Sequence, residues 1–186
     1  MQRQPQSRIR RLTAASLLAA ALTLGVGGIG GIAEAGESSE RHPGPVVPAN
    51  LVPPAGNVLL SGYAARGVQV YRCTAGAWVF VEPAANLVGR LRGAWVSAVH
   101  FRGPSWQSTD DGSLVEARAV ANSPVTGSIP QLLLQATTTR GDGAFGKVTY
   151  LQRLATSGGA APAGTCTDGA TTGVPYQAEY RFYVAG

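Results

Sequence analysis

A strict alternation near the C-terminus constrains this chain more than any other feature. Tyr176, Ala178, Tyr180, Phe182 and Val184 occupy every second position, interleaved with Gln177, Glu179, Arg181 and Tyr183. Side chains of an extended strand point alternately to opposite faces, so this run has one apolar and one mainly polar face. A helix would scatter the same residues around its axis. The period recurs at Leu114–Ala121, where Val115, Ala117 and Ala119 oppose Glu116 and Arg118. It recurs less cleanly where Val148, Tyr150, Gln152 and Leu154 alternate with Lys147, Thr149, Leu151 and Arg153. Val68–Cys73, Trp78–Val81 and Trp95–Phe101 are short runs rich in β-branched and aromatic residues, which pack well on a pleated surface.

Turn residues separate these runs: Ala75-Gly76, Asp111-Gly112, Gly141-Asp142-Gly143 and Ser157-Gly158-Gly159. Ile129–Ala136 reads equally as a short helix or a buried strand, because its apolar run is too short for periodicity to decide. The expectation is all-β: one antiparallel sandwich or barrel of seven to nine strands over residues 55–186, with at most one short helix. Composition agrees. With 45% hydrophobic and 13% charged residues and only two cysteines, the chain is neither disordered, nor a coiled coil, nor a disulfide-dense mini-scaffold. A domain of this size buries enough surface to fold without a structural metal.

Residues 1–35 read as a secretory signal peptide. Arg3, Arg8, Arg10 and Arg11 precede the uncharged stretch Leu12–Ala33, and Ala33-Glu34-Ala35 is a small-x-small cleavage pattern. The Arg10-Arg11 pair leaves both general and twin-arginine export open. Gly25-Val26-Gly27-Gly28-Ile29-Gly30 matches a dinucleotide-binding fingerprint, but it lies in the leader and outside any βαβ context, so no cofactor is expected. Four of the 15 basic and one of the 10 acidic residues fall in the leader, which leaves a net charge of +2 on the remainder. The remaining arginines form no stripe that would track phosphates, so no nucleic-acid partner is expected. No stable membrane insertion is expected after cleavage. Residues 36–54, with Pro43, Pro45, Pro48, Pro53 and Pro54, read as a linker or N-terminal arm, and His42 within it as a bystander.

Cys73 and Cys166 are the only cysteines, and in an exported chain an even pair reads as a disulfide. The bridge is expected to tie the second strand to the loop before the last. Unusual residues concentrate in His100–Gln107 and in Asp110-Asp111-Gly112-Ser113. His100 is the only histidine after the arm and the natural acid–base group near neutral pH; Trp106 is suited to walling a pocket. The alternative for both is a packed core role. One histidine and two paired cysteines cannot assemble a usual zinc set, so no metal is expected. Gly103–Gln107 lacks the spacing and context of a nucleophile elbow. Arg140-Gly141-Asp142 spells an adhesion tripeptide, but a turn between strands is the simpler account.

Four blocks carry a family likeness: Gly67–Cys73, His100–Trp106 with Asp111-Gly112-Ser113, Gly146–Arg153, and Tyr176–Tyr183. Together they resemble an exported domain-of-unknown-function family of bacteria and fungi, from about Val47 to the C-terminus. The resemblance implies secretion, one domain and a cysteine pair, but no activity. Some fungal relatives carry a malate dehydrogenase label, which nothing after the leader supports. The sequence therefore points to a secreted or envelope-associated domain that binds a small molecule or saccharide. Its ligand face is expected to include His100, Trp106, Tyr150, Gln152 and Arg153. The alternatives are a secreted hydrolase using His100 with Asp110 or Asp111, and a purely structural envelope protein.

Overall fold

A computed structural model describes residues 44–186. The expected leader and the start of the proline-rich arm lie outside the described residues. After a single 3-10 turn at Ala49–Leu51, the chain forms eight strands: β1 (Asn57–Thr74), β2 (Ala77–Leu91), β3 (Ala94–Phe101), β4 (Ser105–Ser108), β5 (Leu114–Ser123), β6 (Gln131–Arg140), β7 (Val148–Gly158) and β8 (Thr171–Ala185). Each pairs antiparallel with its neighbour in sequence, and β8 returns to pair with β1, so the sheet closes into a barrel. Of the two expected architectures, the barrel is the one that forms. Ile129–Ala136 contributes a strand, not a helix.

Closure gives each strand an inner and an outer face, and the alternating pattern of β8 follows it. Tyr176, Ala178, Tyr180 and Phe182 are buried inside the barrel, as are Val115 and Ala117 on β5. The Val68–Cys73 and Trp78–Val81 runs prove to be parts of two much longer strands joined by a two-residue turn. Ala75 and Gly76 both take positive φ there, as do Arg92 and Gly93 between β2 and β3. That backbone twist matches the right-handed twist of the flanking strands. Gly67 is needed for a different reason: a Cβ on it would overlap the Ala84 carbonyl oxygen and Ala85 on β2.

The alternation fails on β7. A bulge between Val148 and Tyr150 changes the phase, so Val148 and Leu151 join the interior cluster. Leu154, with Tyr150 packed against it, joins a second cluster around Leu51. The expected single face of Val148, Tyr150, Gln152 and Leu154 is thus split. An extra residue in one strand turns every later side chain to the other face.

The two barrel ends differ. At one, the β6–β7 loop folds Phe145 inward, fully buried against Tyr63 and stacked on Phe182 with ring centroids 4.5 Å apart. The Asp111 carboxylate holds this loop by accepting from the Ala144 N–H at 2.8 Å, while the Ser113 hydroxyl accepts from the Phe145 N–H at 2.9 Å. At the other end the β1–β2 hairpin outruns its neighbour. β2 pairs with β3 only from Ala85, whereas it pairs with β1 along its whole first half. Pro83 sits just before the β3 ladder begins, where its missing N–H costs no bond to β3.

Cys73 and Cys166 are bonded, with Cα atoms 5.8 Å apart. Cys73 ends the first strand, not the second as the short runs implied, because Asn57–Thr74 is one uninterrupted strand. The bridge pins the long β7–β8 loop to this hairpin. With the two cysteines 93 positions apart, it is worth about 4–5 kcal/mol in the chain-entropy account. Reduction, or paired Cys73→Ser and Cys166→Ser, is expected to lower the unfolding free energy by about 2–5 kcal/mol in denaturant titrations. An unchanged midpoint, or two alkylated thiols in unreduced protein, would contradict this role.

Candidate functional site

At the end opposite the Phe145 plug, the barrel encloses a cavity of about 730 Å³. Pockets that take small ligands fall in the range of about 300–1,000 Å³. One wall is the projecting hairpin, through Tyr71, Phe80 and Pro83. The facing wall is carbon-rich, with Ala117 and Ala119 of β5, Ile129, and Leu132 and Leu134 of β6. His100, Trp106 and Tyr180 line the interior side. The His100 and Trp106 rings stack 4.2 Å apart and 5° from parallel, and Tyr180 meets both edge-on. At the rim Arg102 forms a two-pronged ion pair with Glu82, at 3.1 and 3.3 Å, linking the β3–β4 turn to β2.

His100 is both buried and cavity-lining, with 3% of its surface exposed. Its Nδ1 lies 2.9 Å from the Ser105 carbonyl oxygen. A carbonyl only accepts, so Nδ1 carries the proton and Nε2 is the ring's free acceptor. Burial strips the ring of water and pushes its pKa down to about 3; the Ser105 contact opposes that shift, and the Arg153 cation adds to it. The ring is therefore neutral near pH 7.

Gln69 Nε2, Trp106 Nε1 and the Tyr180 hydroxyl also face this region, and each is buried with no hydrogen-bond partner among the described residues. Arg153 anchors itself by donating from Nε to the Pro130 carbonyl oxygen at 3.0 Å. No carboxylate pairs with it among the described residues. Its charge is close enough to influence the ionisation of Tyr71, Tyr176 and Tyr180, whose pKa values all rise, in each case chiefly through burial. Gly159, at the start of the β7–β8 loop, packs behind the lining residues Gln69 and Ile129. Its φ is +77°, a Cβ on it would crowd Tyr176 and Gln69, and its carbonyl oxygen accepts from the Tyr71 hydroxyl at 2.6 Å.

Of the five residues expected on a ligand face, His100, Trp106 and Arg153 line one cavity. Tyr150 and Gln152 do not. Gln152 lies outside the barrel, where its Nε2 donates to the Leu51 carbonyl oxygen and its Oε1 accepts from the Tyr183 hydroxyl. Tyr150 packs beside it against the Leu51 cluster. Neighbours on a strand face opposite ways, so Gln152 and Arg153 could not share a face; the bulge between Val148 and Tyr150 decides that Arg153 is the one turned inward. Asp110 and Asp111 lie in the β4–β5 turn and do not reach His100. Asp110 accepts from the Ser97 N–H at 2.7 Å. Burial would raise the Asp111 pKa, but the hydrogen bonds from Ser113, Ala144 and Ser108 outweigh it and pull the value to about 2. Of Arg140-Gly141-Asp142, Arg140 ends β6 and Gly141-Asp142 begins the β6–β7 loop. Gln69 is the principal lining residue that sequence reading overlooked. Its signal is a polar residue on the inward face of the β1 series Tyr63, Ala65, Gly67, Gln69, Tyr71.

The family model described as "Protein of unknown function (DUF3455)" matches residues 54–184. The chain belongs to this family. The match covers every strand except the last residue of β8, so the cavity is built entirely from family sequence. No curated protein and no solved structure matches the chain.

Because the folded pKa of His100 lies below its ordinary 6.5, the unfolded chain takes up a proton that the folded one refuses. Stability from this residue is complete above about pH 6.5 and is lost as pH falls toward 3. Between about pH 7 and pH 4 the protein is expected to lose on the order of 3 kcal/mol more than His100→Gln, measured by denaturant titration. Parallel pH profiles would contradict a neutral, sealed ring.

Proposed function

We propose that this chain is an exported binding protein that holds a small, largely apolar molecule in the open end of its barrel. The observation that carries this reading is the asymmetry of the barrel interior. One end is filled by Phe145, Tyr63 and Phe182, while the other keeps a 730 Å³ space walled by carbon. Packed interiors leave few voids larger than a water molecule, so a cavity of this size is not a packing residue. Its walls favour an apolar ligand over a saccharide, whose hydroxyls would need many polar partners.

Export is supported by the basic, apolar and small-x-small order of residues 1–35 and by the Cys73–Cys166 bridge, which persists in oxidising compartments. Among the described residues no helix is long and apolar enough to cross a membrane. Binding is favoured over hydrolysis because the cavity histidine is oriented by a backbone carbonyl and not by a carboxylate, with Asp110 and Asp111 committed elsewhere.

Calorimetry with naphthalenemethanol, a neutral aromatic probe, is expected to give saturable one-site binding. Ala119→Trp, at the cavity wall, should weaken it at least tenfold while leaving the thermal midpoint nearly unchanged. Tyr150→Ala, outside the barrel, should leave affinity unaltered. Equal binding by Ala119→Trp and the unmodified chain, or no binding at all, would overturn the assignment.

A further inference from the structure

Resting on the cavity reading above, we infer that the ligand is an apolar carboxylic acid whose carboxylate is held by Arg153, with Gln69, Trp106 and Tyr180 donating beside it. The inference comes from the polar groups that face the cavity, where the donors outnumber the one free acceptor, His100 Nε2. Trp106 Nε1 can only donate, Gln69 Nε2 is a donor, and the Tyr180 hydroxyl can donate. All three residues are at least 97% buried, and all three atoms lack partners among the described residues. A buried donor with no acceptor costs about 1–3 kcal/mol, so three in one cavity call for an acceptor.

Arg153 supplies the charge. Its Nε is occupied by the Pro130 carbonyl oxygen, which fixes the plane of the guanidinium and sets its terminal nitrogens beside the Tyr180 hydroxyl. The basic residues at the rim differ from it. Arg102 already has a carboxylate partner in Glu82, and Arg118 donates to the Gln135 amide oxygen at 2.6 Å. Arg153 is thus the half-buried cation in the cavity without such a partner. A carboxylate matches it in charge and, through its two oxygens, can also take hydrogen bonds from the neighbouring donors.

The remainder of the cavity sets the rest of the ligand. Between the donor cluster and the rim residues Arg102 and Arg118, the side chains of Phe80, Val81, Pro83, Leu132 and Leu134 offer an apolar body dispersion contacts and no polar partner. A dicarboxylate or a sugar acid would leave its second polar group against these side chains. A neutral alcohol would satisfy one donor and leave the cation bare. An amine would bring a second positive charge beside Arg153.

The test compares three probes with one ring system: naphthoic acid, naphthalenemethanol and naphthylmethylamine, each titrated by calorimetry into the unmodified protein at about pH 7. The acid is expected to bind at least tenfold tighter than the alcohol, and the amine weakest. Arg153→Gln should collapse the acid-over-alcohol ratio to about one; Arg153→Lys should retain part of the ratio. Equal binding of acid and alcohol, or tightest binding of the amine, would overturn the acid assignment while leaving the cavity reading intact. An undiminished ratio in Arg153→Gln would overturn the role of Arg153. If none of the three probes binds, the cavity reading itself falls and takes this inference with it. The comparison in unmodified protein decides the ligand class even if Arg153→Gln fails to fold.

Discussion

Pairing of the first strand with the last is the constraint on which the rest of this structure depends. β1 meets β8 from Asn57 to Arg72, and that ladder turns an eight-strand sheet with two open edges into a ring with none. Once the ring is closed, every strand has one face toward a shared interior and one toward solvent. The inward series must then fill or enclose a fixed volume. The cavity, the aromatic plug and the buried histidine all follow from how unequal side chains divide that volume between two ends.

The division is made by loops as much as by strands. Phe145 comes from the β6–β7 connection, and its position depends on Asp111 and Ser113 in a different connection. At the other end the β7–β8 loop carries Cys166 and Gly159, which tie it to β1 through a disulfide and through the Tyr71 hydroxyl. The site is therefore rigid: its walls belong to the barrel, and the β7–β8 loop beside it is covalently anchored. A cavity held in this way loses little conformational freedom on binding, which favours affinity for a small ligand.

Much of this was legible in the sequence, and the failures have physical causes. The period of two at Tyr176–Val184 and Leu114–Ala121 identified strands and their inner faces, because such a pattern is what a closed sheet demands. Choice between sandwich and barrel was not legible, since both bury alternate residues; it is decided by long-range pairing of β1 with β8. The β7 bulge was not legible either, and that one inserted residue decides that Arg153, not Gln152, faces the cavity. Aromatic residues looked alike in sequence. Trp95 lies on the outer surface, 67% exposed beneath the Arg90 guanidinium, while Trp106 is 1% exposed at the cavity. The Asp110-Asp111 pair looked like a partner for His100, yet turn formation already consumes its hydrogen-bonding capacity.

The central claim is that the open end of the barrel, and no other surface, receives the ligand. Its most direct test is a nuclear magnetic resonance titration of nitrogen-labelled protein with naphthoic acid, following the side-chain N–H signals. The three tryptophans give three indole signals, and Gln69 and Gln152 give side-chain amide signals on opposite sides of the barrel wall. The account predicts that the Trp106 indole and Gln69 amide move together and saturably, while those of Trp78, Trp95 and Gln152 stay in place. Movement of the Gln152 amide or the Trp95 indole, with Trp106 unmoved, would contradict it.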